Sequence, residues 1–238
     1  MKDKVRVLFI GNYLDQLERP LRYRGILSDY IDGCSPFAMA GDTLPTNLKY
    51  ANDLDHRPTV LNIRKNLSQM LSHNSENFCH NYNKQPPCKE VKYQNDSEYI
   101  IIMNTSIGYI LFEKNGIIYS DSYNQNKFIV DAKNDKTYTA INPLYRNDFN
   151  WKYYYDKFID AILSEYNSDH IILIRSNSAQ WFMDKQEIKS FDKRAFVFRN
   201  KVSNWTDILL KGLTVFALTN TIITFPTGRY PVLFHLDK

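Results

Sequence analysis

Short polar segments follow the apolar strands of this chain, and they are the residues best placed to do chemistry. They are Gly11-Asn12-Tyr13, Asn104-Thr105-Ser106, Arg175-Ser176-Asn177-Ser178 and the tail from Gly228 to His235. In an open α/β sheet, ligands bind beyond the carboxyl ends of the strands, so these segments are expected to meet at one edge. Asn and Ser are also ordinary turn residues, and turn formation explains the same residues equally well.

Three apolar runs must position these segments. Residues 5–10, 99–103 and 170–174 are short and rich in Val, Ile and Leu, which is typical of buried strands. The connections between them are long and include a helical pattern, which predicts parallel pairing with right-handed crossovers. We therefore expect one α/β domain over residues 1–238 with a central parallel sheet.

Helical periodicity predicts further elements around that sheet. Apolar residues recur at three- and four-residue spacing over 151–166, behind a cap at Asn150. The same spacing predicts a helix over 59–72, with Asp55 or Thr59 as its cap.

The remaining segments are shorter or more polar. Asn115-Gly116 lies between two apolar runs and predicts a β-hairpin. Residues 73–98 are rich in Asn, Ser, Lys and His, which predicts a polar excursion from the domain. The last elements are a strand from Arg194 to Phe198, a helix over 206–218, and short strands at 222–225 and 232–234.

Composition excludes several classes of protein. The net charge of +4 is interspersed along the chain, which argues against a nucleic-acid partner. No apolar run approaches the ~20 residues of a membrane span, and the first run is too short for a secretion signal. Three cysteines cannot all pair within the chain, so reduced thiols in a cytoplasm are the simplest interpretation.

Two other compositional features have competing explanations. His73, Cys79, His80 and Cys88 are zinc ligands by type, but their spacing matches no paired-ligand pattern, so no metal is expected. The chain holds 17 Tyr, 14 Phe and 3 Trp, which suits a wet cleft or a sugar-binding surface. An A/T-rich coding bias explains the same aromatic excess.

Four short stretches give the chain a resemblance to a known family. They are Val7-Leu8-Phe9-Ile10-Gly11-Asn12-Tyr13, Tyr23-Arg24-Gly25-Ile26-Leu27, Glu98-Tyr99-Ile100-Ile101-Ile102-Met103 with Tyr119-Ser120-Asp121-Ser122, and Gly228-Arg229-Tyr230-Pro231-Val232-Leu233-Phe234-His235. On these stretches the chain resembles the SGNH (GDSL-type) hydrolases, and more narrowly a branch found among bacterial surface-polysaccharide genes. The resemblance implies a single-domain, three-layer α/β fold of flavodoxin-like type with a central parallel sheet.

The family mechanism implies a serine nucleophile after the first glycine and a histidine base in the tail, with an aspartate upstream. This sequence has Asn12 at the nucleophile position, Phe225 at the base position and Ile222 in place of the acid. An amide cannot replace a serine as an acyl-accepting nucleophile. His235 is the tail's histidine and is either a displaced base or a feature of the last strand.

Other positions agree better with the family. Asn104 stands where many members place an oxyanion-hole asparagine, and Gly25 is a candidate for the other oxyanion donor. A second resemblance is to a capsule-biosynthesis family thought to handle acyl-coenzyme A, which opens with a strand and Gly-Asn-Cys-Gln. Gly11-Asn12 matches that opening and Tyr13 replaces the cysteine, so on this resemblance Asn12 is native to the site.

These observations lead to two functional hypotheses. The first is an acyl esterase or acyltransferase relative in bacterial surface-glycan biosynthesis or modification, with catalysis retained or lost. No cofactor is expected, although acyl-coenzyme A would suit an acyltransferase. The alternative is a non-catalytic carbohydrate- or protein-binding subunit of a glycan or glycoprotein assembly or export system. The catalytic candidates are Asn12, Asn104 and His235; the substrate-binding candidates are Gly11, Tyr13, Arg24, Gly25, Ser106, Arg175 and Ser176. A base and a nucleophile meeting near Asn12 would favour the enzyme.

Overall fold

The structure is a computed structural model with a mixed α/β architecture. It describes residues 5–11, 20–32, 35–40, 44–50, 59–65, 67–75, 77–81, 90–103, 106–108, 110–120, 135–176, 181–184, 187–190, 193–210 and 215–218. Residues 20–23 are helical. The further helices are α1 (Pro36–Met39), α2 (Leu67–Leu71), α3 (Trp151–Leu163) and α4 (Lys193–Leu209), with 3-10 turns at Ser106–Gly108 and Ser168–His170.

Strands make up most of the other described elements. They are β1 (Arg6–Ile10), β2 (Leu27–Asp32), β3 (Leu44–Tyr50), β4 (Thr59–Lys65), β5 (Asn77–Asn81), β6 (Glu90–Tyr93), β7 (Tyr99–Met103), β8 (Leu111–Lys114), β9 (Ile117–Ser120), β10 (Thr139–Ile141), β11 (Ile171–Ser176), β12 (Trp181–Asp184), β13 (Glu187–Ser190) and β14 (Val215–Leu218). In the described part of the chain, nine of them form one sheet in the order β14-β11-β7-β1-β2-β3-β4-β5-β6.

The first five strands of that sheet pair in parallel. β1 pairs with β2 and β7, and β11 pairs with β7 and β14. Counted in chain order, these parallel strands are arranged 2-1-3-4-5, which is the flavodoxin-like order of doubly wound α/β proteins. The α/β class and the parallel core expected from the sequence are therefore confirmed.

The parallel strands form because their side chains are apolar on both faces. All five residues of β1 are buried, and so are Ile100, Ile102, Ile171 and Leu173 on the neighbouring strands. Continuous apolar runs are typical of parallel strands, which are covered on both sides. The strands predicted at 5–10, 99–103 and 170–174 are each present within a residue or two of the expected bounds.

The core lies on both faces of the parallel sheet. On one face, Leu8 and Ile102 of the sheet pack with Phe37 of α1 and with Tyr155 and Phe158 of α3. On the other face, the smaller cluster contains Val7, Phe9, Tyr30 and Ile174, with Leu21 and Ile26 packed against it. The Phe9 and Tyr30 rings are stacked, with centroids 4.9 Å apart.

The second half of the sheet differs from the prediction. β3 to β6 pair antiparallel, each with its neighbour in sequence. The helix predicted over 59–72 was wrong in its first half, because 59–65 is β4 and the helix is confined to α2. The segment 73–98, expected as a polar excursion, contains β5 and β6 and extends the main sheet.

Two local predictions are confirmed in detail. Asn115 and Gly116 both have positive φ (55° and 77°) and join β8 to β9 as a two-residue hairpin. The helix expected over 151–166 is α3, and the side chain of Asn150 accepts a hydrogen bond from the Tyr153 backbone N–H at its start.

The prediction for residues 194–218 was wrong in its elements. Arg194 to Phe198 belongs to α4, because Phe198, Val202 and Thr206 are buried at four-residue spacing along one helix face. The helix predicted over 206–218 ends at Leu209, and Val215–Leu218 is β14, which pairs with β11. The strands predicted at 222–225 and 232–234 lie outside the described residues.

Candidate functional site

The carboxyl ends of β1 and β7 form the point where the strand order reverses. The chain leaves β1 toward β2 on one side and leaves β7 toward β11 on the other. In doubly wound sheets a crevice opens at such a point, and ligands bind there. The candidate site is therefore built around the residues that follow these two strands.

Gly11 ends β1 at this position and holds the two strand ends close together. Its φ of 143° is a conformation that side chains rarely allow, and its backbone N–H donates to the Ile31 carbonyl over 3.2 Å. A Cβ at this position would lie 2.5 Å from the Met103 carbonyl oxygen, at the end of β7. Because no side chain fits that gap, only glycine keeps this approach of β1 to β7.

Some predicted site residues share this edge. Ser106 begins the 3-10 turn that follows β7, and Arg175 and Ser176 end β11, in register with Ala217 and Leu218 of β14. The backbone therefore brings Gly11, Ser106, Arg175 and Ser176 to the same end of the sheet. Asn12, Tyr13, Asn104 and His235 lie outside the described residues.

Arg24 and Gly25 lie at the opposite edge. They precede β2, whose first residue Leu27 is in register with Arg6 at the start of β1. Gly25 has a φ of 76° in the turn that leads into β2. The length of β1 separates them from Gly11 by roughly 16 Å, at about 3.3 Å per residue. They do not join the other site residues, because the residues directly before a parallel strand lie at its amino end.

A cavity of about 690 Å³ opens beside the carboxyl-end edge, on the face of the sheet that packs against α1 and α3. Its described lining is Pro143, Leu144, Arg146, Asn147, Asp148, Phe149, Asn150, Trp151, Lys152, Lys193, Arg194, Val197, Phe198 and Lys201. These residues come from the segment before α3 and from the first turns of α3 and α4. The sequence pattern did not predict these lining residues, because the start of α4 has a strand-like composition.

Packing against α1 fixes the cavity at this edge. α1 follows the carboxyl end of β2, and the Phe37 ring contacts Phe149 and Phe198, with centroids 5.5 Å and 6.2 Å apart. Leu144 lies against Gly108 in the turn after β7, since a Cβ on Gly108 would be 3.8 Å from Leu144 Cδ1. The cavity is thus next to the turn that begins with Ser106.

The floor and rim of the cavity differ in chemistry. Phe149 and Phe198 are buried at its floor, whereas the charged lining residues are exposed at its rim. The described lining contains five cationic side chains and one carboxylate, that of Asp148. Arg146 Nε lies 2.9 Å from Asp148 Oδ1 and lowers the pKa of that carboxyl. One rim cation is therefore paired within the lining.

Aromatic rings hold two of the other cations. The Arg194 guanidinium lies 4.2 Å from the centroid of the Tyr145 ring, and Lys152 Nζ lies 3.9 Å from that of Trp205. The Trp205 indole N–H donates to Asp156 Oδ1 over 2.6 Å, which orients its ring. Cation–π contacts position a charge without neutralising it.

The amino end of the sheet carries a buried polar cluster. Arg6 Nη1 donates to Asp29 Oδ1 over 2.9 Å, and Arg6 Nε lies 2.8 Å from Asp96 Oδ1. The Asn95 side-chain amide donates to Tyr166 Oη over 2.8 Å, and burial is the main cause that raises the Tyr166 pKa to about 12. These contacts tie β1, β2 and the segment before β7 together at the end away from the cavity.

The two histidines whose side chains the structure places are also at the amino end. His73 Nε2 is 3.1 Å from the Ser97 carbonyl oxygen, and the His170 ring is 5.0 Å from that of Tyr99. Neither can reach Gly11 as a general base. Within the described residues, no group of three or more His, Cys, Asp and Glu side chains could hold a metal ion. The described part of the carboxyl edge is thus equipped for binding by cations and aromatic rings.

Comparisons with known proteins found no match. No family model matches the chain, and neither do curated proteins or solved structures. Among the helices in the described ranges, none is long and apolar enough to cross a membrane.

Proposed function

We propose that this protein binds an acylated or carbohydrate-derived ligand at the carboxyl end of its parallel sheet. On this proposal it is a divergent relative of the SGNH-type esterases and acyltransferases that act in bacterial surface-glycan biosynthesis. The observation that supports it is the position of Gly11, at the reversal of a 2-1-3-4-5 strand order and against Met103. The residue after such a glycine faces the ligand crevice of a doubly wound sheet.

Catalysis by a serine-type mechanism is not part of the proposal. Asn12 follows Gly11, and an amide does not accept an acyl group as a serine hydroxyl does. The two placed histidines lie at the other end of the sheet. Asn12 instead would act by hydrogen-bonding the ligand, with acyl-coenzyme A or an acetylated glycan as the ligand class.

The second candidate is a carbohydrate- or protein-binding subunit without catalysis, acting in glycan assembly or export. The cavity favours binding, since its described lining combines aromatic side chains with cations and contains neither Ser, Cys nor His. This candidate and the first share the binding edge but differ in whether an acyl group is transferred.

A thermal-shift titration with coenzyme A, acetyl-coenzyme A and acetylated oligosaccharides tests the proposal. A ligand present at ~100 times its dissociation constant stabilises the folded state by roughly 2.7 kcal/mol, which is readily measured. We expect a shift with at least one of these ligands and its loss in Asn12→Ala. Asn204→Ala is the matched control, because Asn204 is exposed on α4 and outside the cavity lining.

The outcomes separate the candidates. A shift with acetyl-coenzyme A, together with acetyl transfer to an oligosaccharide acceptor, supports the acyltransferase. A shift with oligosaccharide alone, without release of acetate, supports the binding subunit. The absence of a shift with all three ligands would refute the proposed ligand class.

A further inference from the structure

We propose that the cavity between the first turns of α3 and α4 binds a phosphorylated small molecule with two or more negative charges. This inference rests on the cavity itself and does not require acyl chemistry at Asn12. It assigns the phosphoryl groups to the cationic rim and the uncharged part of the ligand to the aromatic floor.

The charge of the lining is the first argument. Among the residues that the structure describes, five cationic side chains and one carboxylate line the cavity. The Arg146 charge is balanced by Asp148, and Lys152, Lys193 and Lys201 add three further positive charges to the described lining. A concave surface lined by one sign of charge concentrates ligands of the opposite sign.

The arrangement of these cations on α4 is the second argument. Lys193, Val197 and Lys201 follow one another at intervals of four residues, so they project from one face of the helix. All three line the cavity, and all three are exposed. The two ammonium groups are thus directed to the same space. Ion pairs along the helix itself would instead need side chains of opposite charge at this spacing.

The size and floor of the cavity indicate a small organic ligand. Its volume of about 690 Å³ is within the range of about 300–1,000 Å³ for small-molecule sites. Phe149 and Phe198 offer an apolar floor beneath the charged rim, and the Trp151 ring lies 5.6 Å from that of Phe198. A ligand with a ring and adjacent charged groups would satisfy both parts of this surface.

The density of charge favours phosphoryl groups over sugar carboxylates. Adjacent phosphoryl groups place several charges on neighbouring atoms, whereas an acidic sugar carries one carboxylate per ring. Arginine binds phosphate oxygens in a bidentate manner, and lysine binds them as a point charge. Both kinds of side chain are present at the rim, in Arg194 and in the lysines around it.

Isothermal titration with adenosine diphosphate at low ionic strength tests this inference. We expect binding of adenosine diphosphate, competition by inorganic pyrophosphate, and no binding of adenosine. The double variant Lys193→Gln with Lys201→Gln should bind at least about tenfold more weakly, because it removes two charged hydrogen-bond donors from the phosphoryl groups. Added salt should weaken binding by the wild-type protein.

Lys136→Gln is the matched control, since Lys136 is an exposed lysine outside the cavity lining. It should bind adenosine diphosphate as the wild-type protein does. Equal affinity of the double variant and this control would overturn the inference, as would failure of the wild-type protein to bind adenosine diphosphate. Binding of a hexuronate trisaccharide in place of adenosine diphosphate would assign the cavity to an acidic glycan and would also overturn it.

The test is independent of the proposed function. The double variant Lys193→Gln with Lys201→Gln leaves Asn12 unchanged, so it tests the cavity without altering the acyl or carbohydrate site of the proposed function. Loss of acetylated-oligosaccharide binding in Asn12→Ala, with adenosine diphosphate binding weakened only in the lysine double variant, would support both proposals separately.

Discussion

Replacing Gly11 by alanine perturbs the close approach between the end of β1 and the end of β7. The backbone φ of 143° belongs to a region that is almost restricted to glycine, and a side chain there costs on the order of 1–3 kcal/mol. The new Cβ would also lie 2.5 Å from the Met103 carbonyl oxygen and 3.0 Å from the Met103 Cβ. Overpacking of this kind adds about 1–3 kcal/mol.

The expected loss of stability for Gly11→Ala is therefore about 3 kcal/mol or more. In a protein of this size, 1 kcal/mol shifts the melting temperature by about 2–4 °C, so Tm should fall by roughly 6–12 °C. Urea unfolding followed by circular dichroism gives the free-energy difference directly.

Gly25→Ala is the matched control for this substitution. Gly25 also has a positive φ, of 76°, but nothing lies within 4 Å of the Cβ that alanine would add. It should lose only the backbone contribution, about 1–2 kcal/mol. If Gly11→Ala were no less stable than Gly25→Ala, the close approach of β1 to β7 at the candidate site would be refuted.

Three further substitutions test the core and the electrostatics. Asp29→Ala leaves the buried Arg6 guanidinium without its main partner and should cost about 3–5 kcal/mol in urea unfolding. Phe37→Ala removes a fully buried ring beneath the cavity and should cost about 3–5 kcal/mol. Hydrogen bonds from Thr137 and then Lys114 lower the pKa of Asp135 from 3.8 to about 2. The pKa of Asp135 is lower in the folded state than in the unfolded state, so its contribution to folding stability is present above pH 3.8 and is lost as pH falls through 2. This pH-dependent contribution is absent in Asp135→Asn.

Each of these expectations has an internal control. Asp96→Ala removes the exposed partner of Arg6 and should cost less than about 1 kcal/mol, so equal losses for Asp29 and Asp96 would contradict the role of burial. Tyr153→Ala truncates an exposed ring and should be close to neutral beside Phe37→Ala. An unchanged gap between the acid unfolding curves of the wild type and Asp135→Asn down to pH 1 would contradict the assignment for Asp135.

The strands of the parallel core could be predicted because they carry apolar side chains on both faces. β1, β7 and β11 are continuous apolar runs, and no amphipathic pattern competes with that signal. The Asn115-Gly116 turn and the cap at Asn150 are local rules that act within a few residues, and both are confirmed. Local and burial signals agree in these elements.

The antiparallel half could not be predicted in the same way. The apolar positions of 59–72 have helical spacing, yet 59–65 pairs with β3 and β5 as a strand. Pairing with neighbouring strands is a tertiary effect that outweighs local periodicity. Arg194 to Phe198 shows the converse, because an apolar run of strand-like composition is part of a helix whose buried face continues to Val202 and Thr206.

The candidate site was predictable only as an edge of the sheet. Strand ends identify the carboxyl edge, and Gly11 is at the reversal of strand order. Arg24 and Gly25 were grouped with it through a resemblance, although their place before β2 puts them at the other edge. The cavity depends on two helix starts, Trp151 and Lys193, that are far apart in sequence, and no local pattern joins them.

The central position of β1 also has a consequence for synthesis on the ribosome. Val7 lies between Ser28 of β2 and Tyr99 of β7, so β1, which is made before both neighbours, is an interior strand of the finished sheet. β2 follows soon after, but the β7 side of β1 cannot be covered until Tyr99–Met103 leaves the exit tunnel. Until then the nascent chain exposes an apolar strand edge, which is a template for incorrect pairing. The time needed to translate residues 33–98 therefore sets how long that edge stays unpaired.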